Sequence, residues 1–214
     1  MYIYKKKYLK YKMKYLNMKK SGGKEVEYQF PKYNKKQIIK IIKNNKGKQI
    51  HKKMMYKAVY YFTKDNKTLY RIRQENDGIT ATKKDMYDDK PADEYEIKVV
   101  KGSSFDEIHD FIRNMVPNIK DTKQILTEKY REKWSLPIKG VHEIVFDIWP
   151  GLDEYLEIDC SNKETLDKVI KLFGLQDSKY YTKGHSEYYK EKYGIEKKDL
   201  LGGKIKFTFK DFKI

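Results

Sequence analysis

The sequence predicts an α+β fold in which antiparallel strands close into a β-barrel with a charged interior. Charged residues stand at every second position in five short segments, and residues i and i+2 of a strand point to one face of a sheet. Apolar or aromatic residues fill the alternate positions. The five segments are Glu25/Glu27, Arg71/Arg73, Glu94/Glu96/Lys98, Lys129/Arg131 and Glu157/Asp159. Repeated in this way, the pattern indicates a barrel whose interior acids hold metal ions and whose interior bases hold an anion.

About eight to nine strands follow from apolar and aromatic alternation between turn residues. The Asp77-Gly78 pair predicts a tight hairpin between two of them. The predicted strands cover residues 24–30, 54–63, 69–74, 79–84, 94–100, 124–136, 141–149, 153–159 and 204–209.

Three or four helices are predicted from capping residues and apolar spacing. Asn34 can cap a helix that buries Ile38, Ile39, Ile41 and Ile42 and ends at Gly47. Two Ser-x-x-Glu capping boxes, at 104–107 and 161–164, predict helices that run to residue 115 and to Gly174. A short helix at 188–193 is expected to end at Gly194.

The first 23 residues are predicted to form a basic leader, separate from one domain over residues 24–214. Tyr4, Tyr8, Tyr11, Tyr15 and Met18 are spaced as one seam of a helix, and Ser21-Gly22-Gly23 follows as a hinge. The pattern of 7–16 followed by Gly22-Gly23 resembles a leader found at the start of many giant-virus proteins. A basic amphipathic helix over residues 1–20 would suit nucleic acid or an anionic surface, and a targeting or packaging tag is an equal alternative.

The amino-acid composition indicates which cellular compartment suits the chain. The chain of 214 residues carries a formal net charge of +17, yet Lys greatly outnumbers Arg, and three of the four arginines lie in the alternating segments. The one cysteine, Cys160, excludes a disulfide framework within the chain and fits a reducing, cytoplasmic compartment. No apolar run approaches the ~20 residues that a membrane span needs, and the lysine-rich N-terminal segment lacks the apolar stretch of roughly 7–15 residues expected of a secretory signal.

Mixed acidic and basic clusters match the chemistry of a metal-bound triphosphate. A triphosphate needs several cationic side chains at once, and its cleavage needs a divalent metal that neutralises the developing charge. Mg²⁺ and Mn²⁺ prefer carboxylate oxygens and water.

Several motifs, in order along residues 24–210, resemble those of the CYTH, or triphosphate tunnel metalloenzyme, superfamily. That superfamily includes class IV adenylyl cyclases and thiamine, inorganic and RNA triphosphatases. The resembling segments are Glu25-Val26-Glu27-Tyr28-Gln29, Leu69-Tyr70-Arg71-Ile72-Arg73, Thr82-Lys83-Lys84, Glu94-Tyr95-Glu96, Lys129-Tyr130-Arg131, Phe146-Asp147, 151–159 and 172–195.

The resemblance implies an eight-stranded antiparallel tunnel that binds Mg²⁺ or Mn²⁺. The implied metal ligands are Glu25, Glu27, Glu157 and Asp159, with help from Glu94, Glu96 or Asp147. The implied phosphate-binding residues are Arg71, Arg73, Lys84, Lys129 and Arg131. Glu25, Glu27 and Lys129 are the expected catalytic residues. Gln29 stands where the family has a lysine, so one phosphate contact is either lost or supplied by Lys24 or Lys98.

The sequence therefore predicts a metal-dependent phosphohydrolase. Its substrate would be inorganic triphosphate, a nucleoside triphosphate or an RNA 5′-triphosphate. Two alternatives stay open, namely a class IV-type adenylyl cyclase that makes cyclic AMP from ATP, and a protein that binds a nucleotide or polyphosphate without turnover.

Overall fold

Long antiparallel strands dominate the described part of the chain. The computed structural model describes residues 19–20, 26–63, 65, 67–75, 78–85, 93–99, 104–115, 123–182, 184–196, 199 and 206–213. The strands are β1 (Lys19–Lys20), β2 (Val26–Phe30), β3 (Lys48–Phe62), β4 (Thr68–Glu75), β5 (Gly78–Asp85), β6 (Asp93–Val99), β7 (Lys123–Ser135), β8 (Val141–Ile148) and β9 (Tyr155–Cys160). The helices are α1 (Lys35–Asn44), α2 (Phe105–Met115), α3 (Lys163–Phe173) and α4 (His185–Tyr193).

The strands form one sheet in the order β1-β6-β5-β4-β3-β7-β8-β9-β2. Eight of these strands are long and β1 has only two residues. The predicted α+β class with an eight-stranded antiparallel sheet is therefore confirmed. Hydrogen bonds among the described residues do not close this sheet, since β1 and β2 are its two edges.

Two structural units divide the chain, and β3 runs through both. Unit 1 contains β1 and residues 58–124, and unit 2 contains residues 23–57 and 125–214. The proposed boundary between a leader and one domain, at residue 23, stays a prediction.

Unit 2 builds its core on one face of the strands β2, β7, β8 and β9. Alternate residues of these strands pack with α1 and α3 in a single apolar cluster. Ile38 and Ile42 supply the buried side of α1, and Leu166, Val169 and Phe173 that of α3. Because burying apolar area is the main favourable contribution to folding, this outer layer leaves the opposite face of the same strands free to be polar.

Unit 1 follows the same plan with a single helix. Val59, Tyr61, Ile72 and Ile79 form its buried cluster, and apolar side chains of α2 pack against them. The predicted capping box of α2 is confirmed, because the Ser104 backbone N–H donates to the Glu107 carboxylate (2.7 Å) and the Glu107 N–H donates to Ser104 Oγ (3.2 Å).

Two predicted elements differ in the structure. Lys19–Lys20, the end of the predicted leader helix, pair with Tyr95 and Glu96 of β6, because the edge of β6 offers unpaired backbone groups. The remainder of the leader lies outside the described residues. The predicted closing strand at 204–209 is wrong over its described part, where Phe207 makes only an isolated bridge to Thr127 and residues 208–211 bend into a turn.

The second predicted capping box is also wrong. The N-cap of α3 is Asn162, whose Oδ1 accepts the Thr165 N–H at 2.9 Å, so Ser161 lies one position too early to cap the helix. The predicted cap of α1 and the predicted glycine ends of α3 and α4 are confirmed, since Asn34 Oδ1 accepts the Gln37 N–H and both glycines have positive φ.

Within the described ranges, no helix is long and apolar enough to cross a membrane.

Replacing Asn162 by Ala is expected to destabilise the protein by about 1 kcal/mol, because the Thr165 N–H loses its acceptor. Ser161→Ala, which removes no cap, is expected to cost less than half as much. Urea unfolding of both variants checks the assignment, and a larger loss for Ser161→Ala would contradict it.

Candidate functional site

Strand register brings charged residues of unit 2 onto one face of four adjacent strands. Arg131 stands opposite Asp147, Glu143 opposite Asp159, and Glu27 opposite Asp159 on the other side. Since directly paired residues share a face of the sheet, the period-two pattern of each strand extends this face in both directions. We call it the charged face. Its polar members are Lys129, Arg131, Lys133, Glu143, Asp147, Tyr155, Glu157, Asp159, Glu27 and Gln29, and the apolar Val145 lies among them.

Arg131 is the centre of the charged face. Its guanidinium donates through Nε and Nη2 to the two oxygens of Asp147, at 2.7 Å each. Nη1 donates to Glu143 at 2.8 Å, and Nη2 also reaches Glu157 at 3.1 Å. Arg131 is 6% exposed and Asp147 is fully buried. One cation on β7 thus joins three carboxylates of β8 and β9 that would otherwise repel one another.

Two lysines complete this network. Lys129 Nζ donates to Asp147 Oδ2 at 2.8 Å, and Lys133 forms an ion pair with Glu143. Lys129 also lies 5.5 Å from the ring centre of Trp149. Lys129 keeps 15% of its side chain exposed and Lys133 keeps 31%, whereas Arg131 keeps only 8%, so the two lysines are the cations of this network that an arriving anion can reach.

The network shifts the pKa of its acids. Burial opposes ionisation of Asp147 and Glu143, but the charge of Arg131, joined by Lys129 at Asp147 and Lys133 at Glu143, lowers the pKa of each carboxyl to about 2. Both carboxylates therefore stabilise the folded state at neutral pH, and this contribution is lost as the pH falls below their ordinary values toward 2.

At the acidic edge of the charged face, the pKa values of two carboxyl groups are raised rather than lowered. We use this name for Glu27, Gln29, Glu157 and Asp159, which lie on the paired strands β2 and β9. Burial raises the pKa of Glu157 despite the nearby Arg131. Burial and then the charge of Glu157 raise the pKa of Glu27 to about 7, although the side chain of Glu27 still reaches solvent. The acidic edge carries more negative charge than its cations balance.

Gln29 takes part in the acidic edge as a neutral partner. It is 2% exposed, and its Nε2 donates to Glu157 Oε2 at 2.7 Å. Its Oε1 is buried and has no hydrogen-bond partner among the described residues. The position where the family has a lysine is thus filled by an amide that satisfies Glu157 and presents a second oxygen.

The donors of the acidic edge fit Mg²⁺ or Mn²⁺. The carboxylates of Glu27, Glu157 and Asp159 and the orphaned oxygen of Gln29 are all hard oxygen donors, which is the set these cations prefer. As the side chains stand in the described part of the chain, no group of three His, Cys, Asp or Glu forms a metal site. One physical reason is that both Glu157 oxygens already accept hydrogen bonds, one from Arg131 and one from Gln29. Glu157 would have to turn its carboxylate away from these donors to bind a cation.

Unit 1 carries a second, smaller cluster. Arg71 Nη2 donates to Thr82 Oγ1 at 3.2 Å and lies 3.4 Å from Glu96 Oε2, to which Thr82 also donates at 3.1 Å. Arg73 pairs with Glu75 at 2.5 Å and lies 3.8 Å from Glu96. The predicted arginine pair and one predicted acid therefore meet across three strands.

The remaining predicted site residues are less completely described. Lys84 lies on β5, half-buried, at the register position of Glu94, and Lys98 pairs in register with Thr80. For Glu94 and Lys98 only the backbone is described, and Glu25 lies outside the described residues.

Sequence reasoning missed Glu143, Lys133 and the structural role of Gln29. Glu143 and Asp147 are four residues apart on one strand, so period two already placed them on one face. Lys133 continues the Lys129/Arg131 alternation by one step. The bond from Gln29 to Glu157 has no sequence signal, because it depends on the register between strands that are far apart in the chain.

Comparison with known proteins identifies the fold. No family model and no curated protein matches the chain, whereas solved structures do. A candidate adenylate cyclase from Vibrio parahaemolyticus is 14% identical, with a TM-score of 0.56 over 78% of this chain and 98% of its own. The PH1819 protein of Pyrococcus horikoshii is 21% identical, with a TM-score of 0.51 over 78% of this chain and 99% of its own. The PH1012 protein of the same organism is 20% identical, with a TM-score of 0.51 over 72% and 92%.

At these identities the similarity concerns the fold. It agrees with the order of the charged motifs along the sequence, and the predicted resemblance is confirmed at this level, while the viral character of the leader stays a prediction. The chain therefore has the fold that the Vibrio parahaemolyticus and Pyrococcus horikoshii proteins share.

Proposed function

We propose that this protein is a metal-dependent hydrolase of a triphosphate, which is inorganic triphosphate, a nucleoside triphosphate or an RNA 5′-triphosphate. The observation that carries the proposal is the charged face itself. Its cations are held at fixed positions beside an acidic edge that has excess negative charge and only oxygen donors. A metal triphosphate needs both parts next to each other.

The acidic edge would hold the metal. Glu27, Glu157 and Asp159 are the proposed protein ligands. Gln29 pairs directly with Glu157 across the strands, so its Oε1 is a further proposed ligand. When bound, Mg²⁺ or Mn²⁺ polarises the phosphate and lowers the pKa of a bound water.

Lys129 is the proposed first contact for the phosphate chain. Its ammonium can leave Asp147 without stranding that carboxylate, because Arg131 continues to hold both Asp147 oxygens. Arg131, in turn, would keep Asp147 and Glu157 oriented and supply a fixed positive potential. The resemblance of the sequence motifs extends phosphate binding to Arg71, Arg73, Lys84 and Lys98.

An adenylyl cyclase is the second candidate. The Vibrio parahaemolyticus protein with this fold is a candidate adenylate cyclase, and the same charged groups would suit attack of a ribose hydroxyl on the α-phosphate. The products distinguish the two reactions, because a hydrolase releases orthophosphate and a cyclase releases cyclic nucleotide with pyrophosphate.

Glu27→Gln is expected to lower metal-dependent phosphate release by roughly 10²–10³-fold, because one charged ligand is lost while the size of the side chain is kept. The assay incubates the protein with Mg²⁺ or Mn²⁺ and triphosphate, ATP or 5′-triphosphorylated RNA, and measures phosphate and cyclic nucleotide. Glu164→Gln, on an 81% exposed side chain of α3, is the matched control. Formation of cyclic AMP would show that the protein is a cyclase and would overturn the proposed hydrolysis. Tight triphosphate binding without any turnover would leave only a binding protein.

Arg131→Met is expected to destabilise the protein by about 3–5 kcal/mol, because it strands the fully buried Asp147 carboxylate. Lys129→Met should cost clearly less, because Arg131 remains bound to both Asp147 oxygens. Urea unfolding measures both losses. Equal losses would show that Arg131 is not the centre of the network.

Gln29→Lys is expected to lower the KM for triphosphate by roughly ten-fold, because it restores an ammonium that can form a charged hydrogen bond with phosphate. Gln29→Met, which removes the bond to Glu157 and adds no charge, separates this gain from a change in packing. Steady-state kinetics with thermal melting of each variant provides the measurement. A similar KM in both variants would remove the lysine position from phosphate binding.

A further inference from the structure

A long stretch of the folded chain contains lysines and no acids. Between Glu27 and Asp65 there are eleven lysines and neither Asp nor Glu. Helix α1 lies in this stretch and has Lys36, Lys40 and Lys43 at spacings of four and three residues. Residues at these spacings lie on one side of a helix, and all three side chains are exposed. We call these three residues the α1 lysine row.

The neighbouring helix shows that this arrangement is more than a lysine-rich composition. Helix α3 packs beside α1 on the same face of the unit 2 sheet and also has three lysines. Two of its lysines are paired within the helix, Lys163 with Asp167 and Lys168 with Glu164. No member of the α1 lysine row makes an ion pair with any residue that the structure describes.

The row therefore presents concentrated positive charge. Because the helix rises 1.5 Å per residue, the outer two lysines are separated by roughly 10 Å along its axis. Lys46, just beyond the end of the helix, is also exposed and adds a fourth cation in the sequence. Three cations without local counter-ions favour a partner whose negative charges recur along a line.

The apolar side of α1 argues against a membrane surface as that partner. Ile38 and Ile42 are 1% and 0% exposed, since they pack in the core of unit 2. An amphipathic helix binds a bilayer through such residues, and here they are already used. Protein interfaces are enriched in aromatic residues and Arg and depleted in Lys, so the composition of the row does not favour a protein partner either.

We propose that the α1 lysine row is a docking surface for the phosphate backbone of a nucleic acid. The row lies on the opposite side of the unit 2 sheet from the charged face, because α1 packs on the apolar face of those strands. This binding is independent of the proposed hydrolysis and of the leader at residues 1–20. It is electrostatic and does not depend on base sequence.

The test measures the salt dependence of RNA binding by the full chain. The probe is a single-stranded RNA of about 20 nucleotides with a 5′-hydroxyl end, without divalent metal, so that the result does not depend on any triphosphatase activity. The triple variant Lys36→Gln/Lys40→Gln/Lys43→Gln keeps good helix-forming residues. It is expected to bind roughly ten-fold or more weakly at about 0.1 M salt, and its slope of log K against log salt should be smaller by about 2.

The matched control is Lys163→Gln/Lys168→Gln/Lys171→Gln on α3, which removes the same net charge from the adjacent helix. It is expected to leave the slope unchanged. Equal losses in both variants would show a general charge effect, and no loss in either would assign RNA binding to other lysines; both results overturn the proposal. Binding to phosphatidylserine vesicles that the α1 variant alone abolishes, without an effect on RNA, would also overturn it.

Chemical acylation of lysines in the unaltered protein provides a second test that does not depend on the folding of a variant. Bound RNA should protect Lys36, Lys40 and Lys43 and leave Lys168 reactive, as read by mass spectrometry. Equal reactivity of the row with and without RNA would contradict the proposal.

Discussion

The structure of unit 2 depends on the buried pairing of Arg131 with Asp147. A fully buried carboxylate is tolerated only when a cation and several hydrogen bonds compensate for its lost hydration. The bidentate bonds from Arg131 meet this need and fix the guanidinium in one plane. Glu143 and Glu157 then take their positions from the remaining donors of the same group. Arg131 thus links the acids at the centre of the charged face into one hydrogen-bonded network.

The fold tolerates the charged face because the other face of the same strands packs in the apolar core, which stabilises unit 2. Tyr28, Phe30, Phe146, Leu156 and Ile158 point outward to α1 and α3 and are almost fully buried. Lys35 of α1 reaches back to the sheet, where it pairs with Glu132 and Glu154 at 2.8 Å each. The apolar layer supplies stability, and the charged layer supplies a site whose groups are held in place before any ligand arrives.

The sequence predicted this division well where period two was decisive. Alternation placed Lys129, Arg131, Glu157 and Asp159 on one face before any register was known. It could not reveal that Arg131 holds acids from two strands beyond its own, because that depends on long-range pairing. The cap at Asn162 was missed by one residue since Ser161 fits the same motif. The predicted closing strand was wrong over its described part because Phe207 packs against Tyr189 and Phe212 and the chain then turns.

Gln29 shows how one neutral residue changes the balance of the face. A lysine at this buried position would add a cation beside Glu157 and bring the acidic edge closer to neutrality. The amide satisfies Glu157 with a hydrogen bond but leaves its charge in place, so the repulsion between Glu157 and Glu27 persists. Like-charged carboxylates that are held together by strand pairing can be relieved by a proton or by a cation. With an amide at this position, the proposed function requires the missing positive charge to come from the ligand, and the proposed metal ion would be the cation that supplies it.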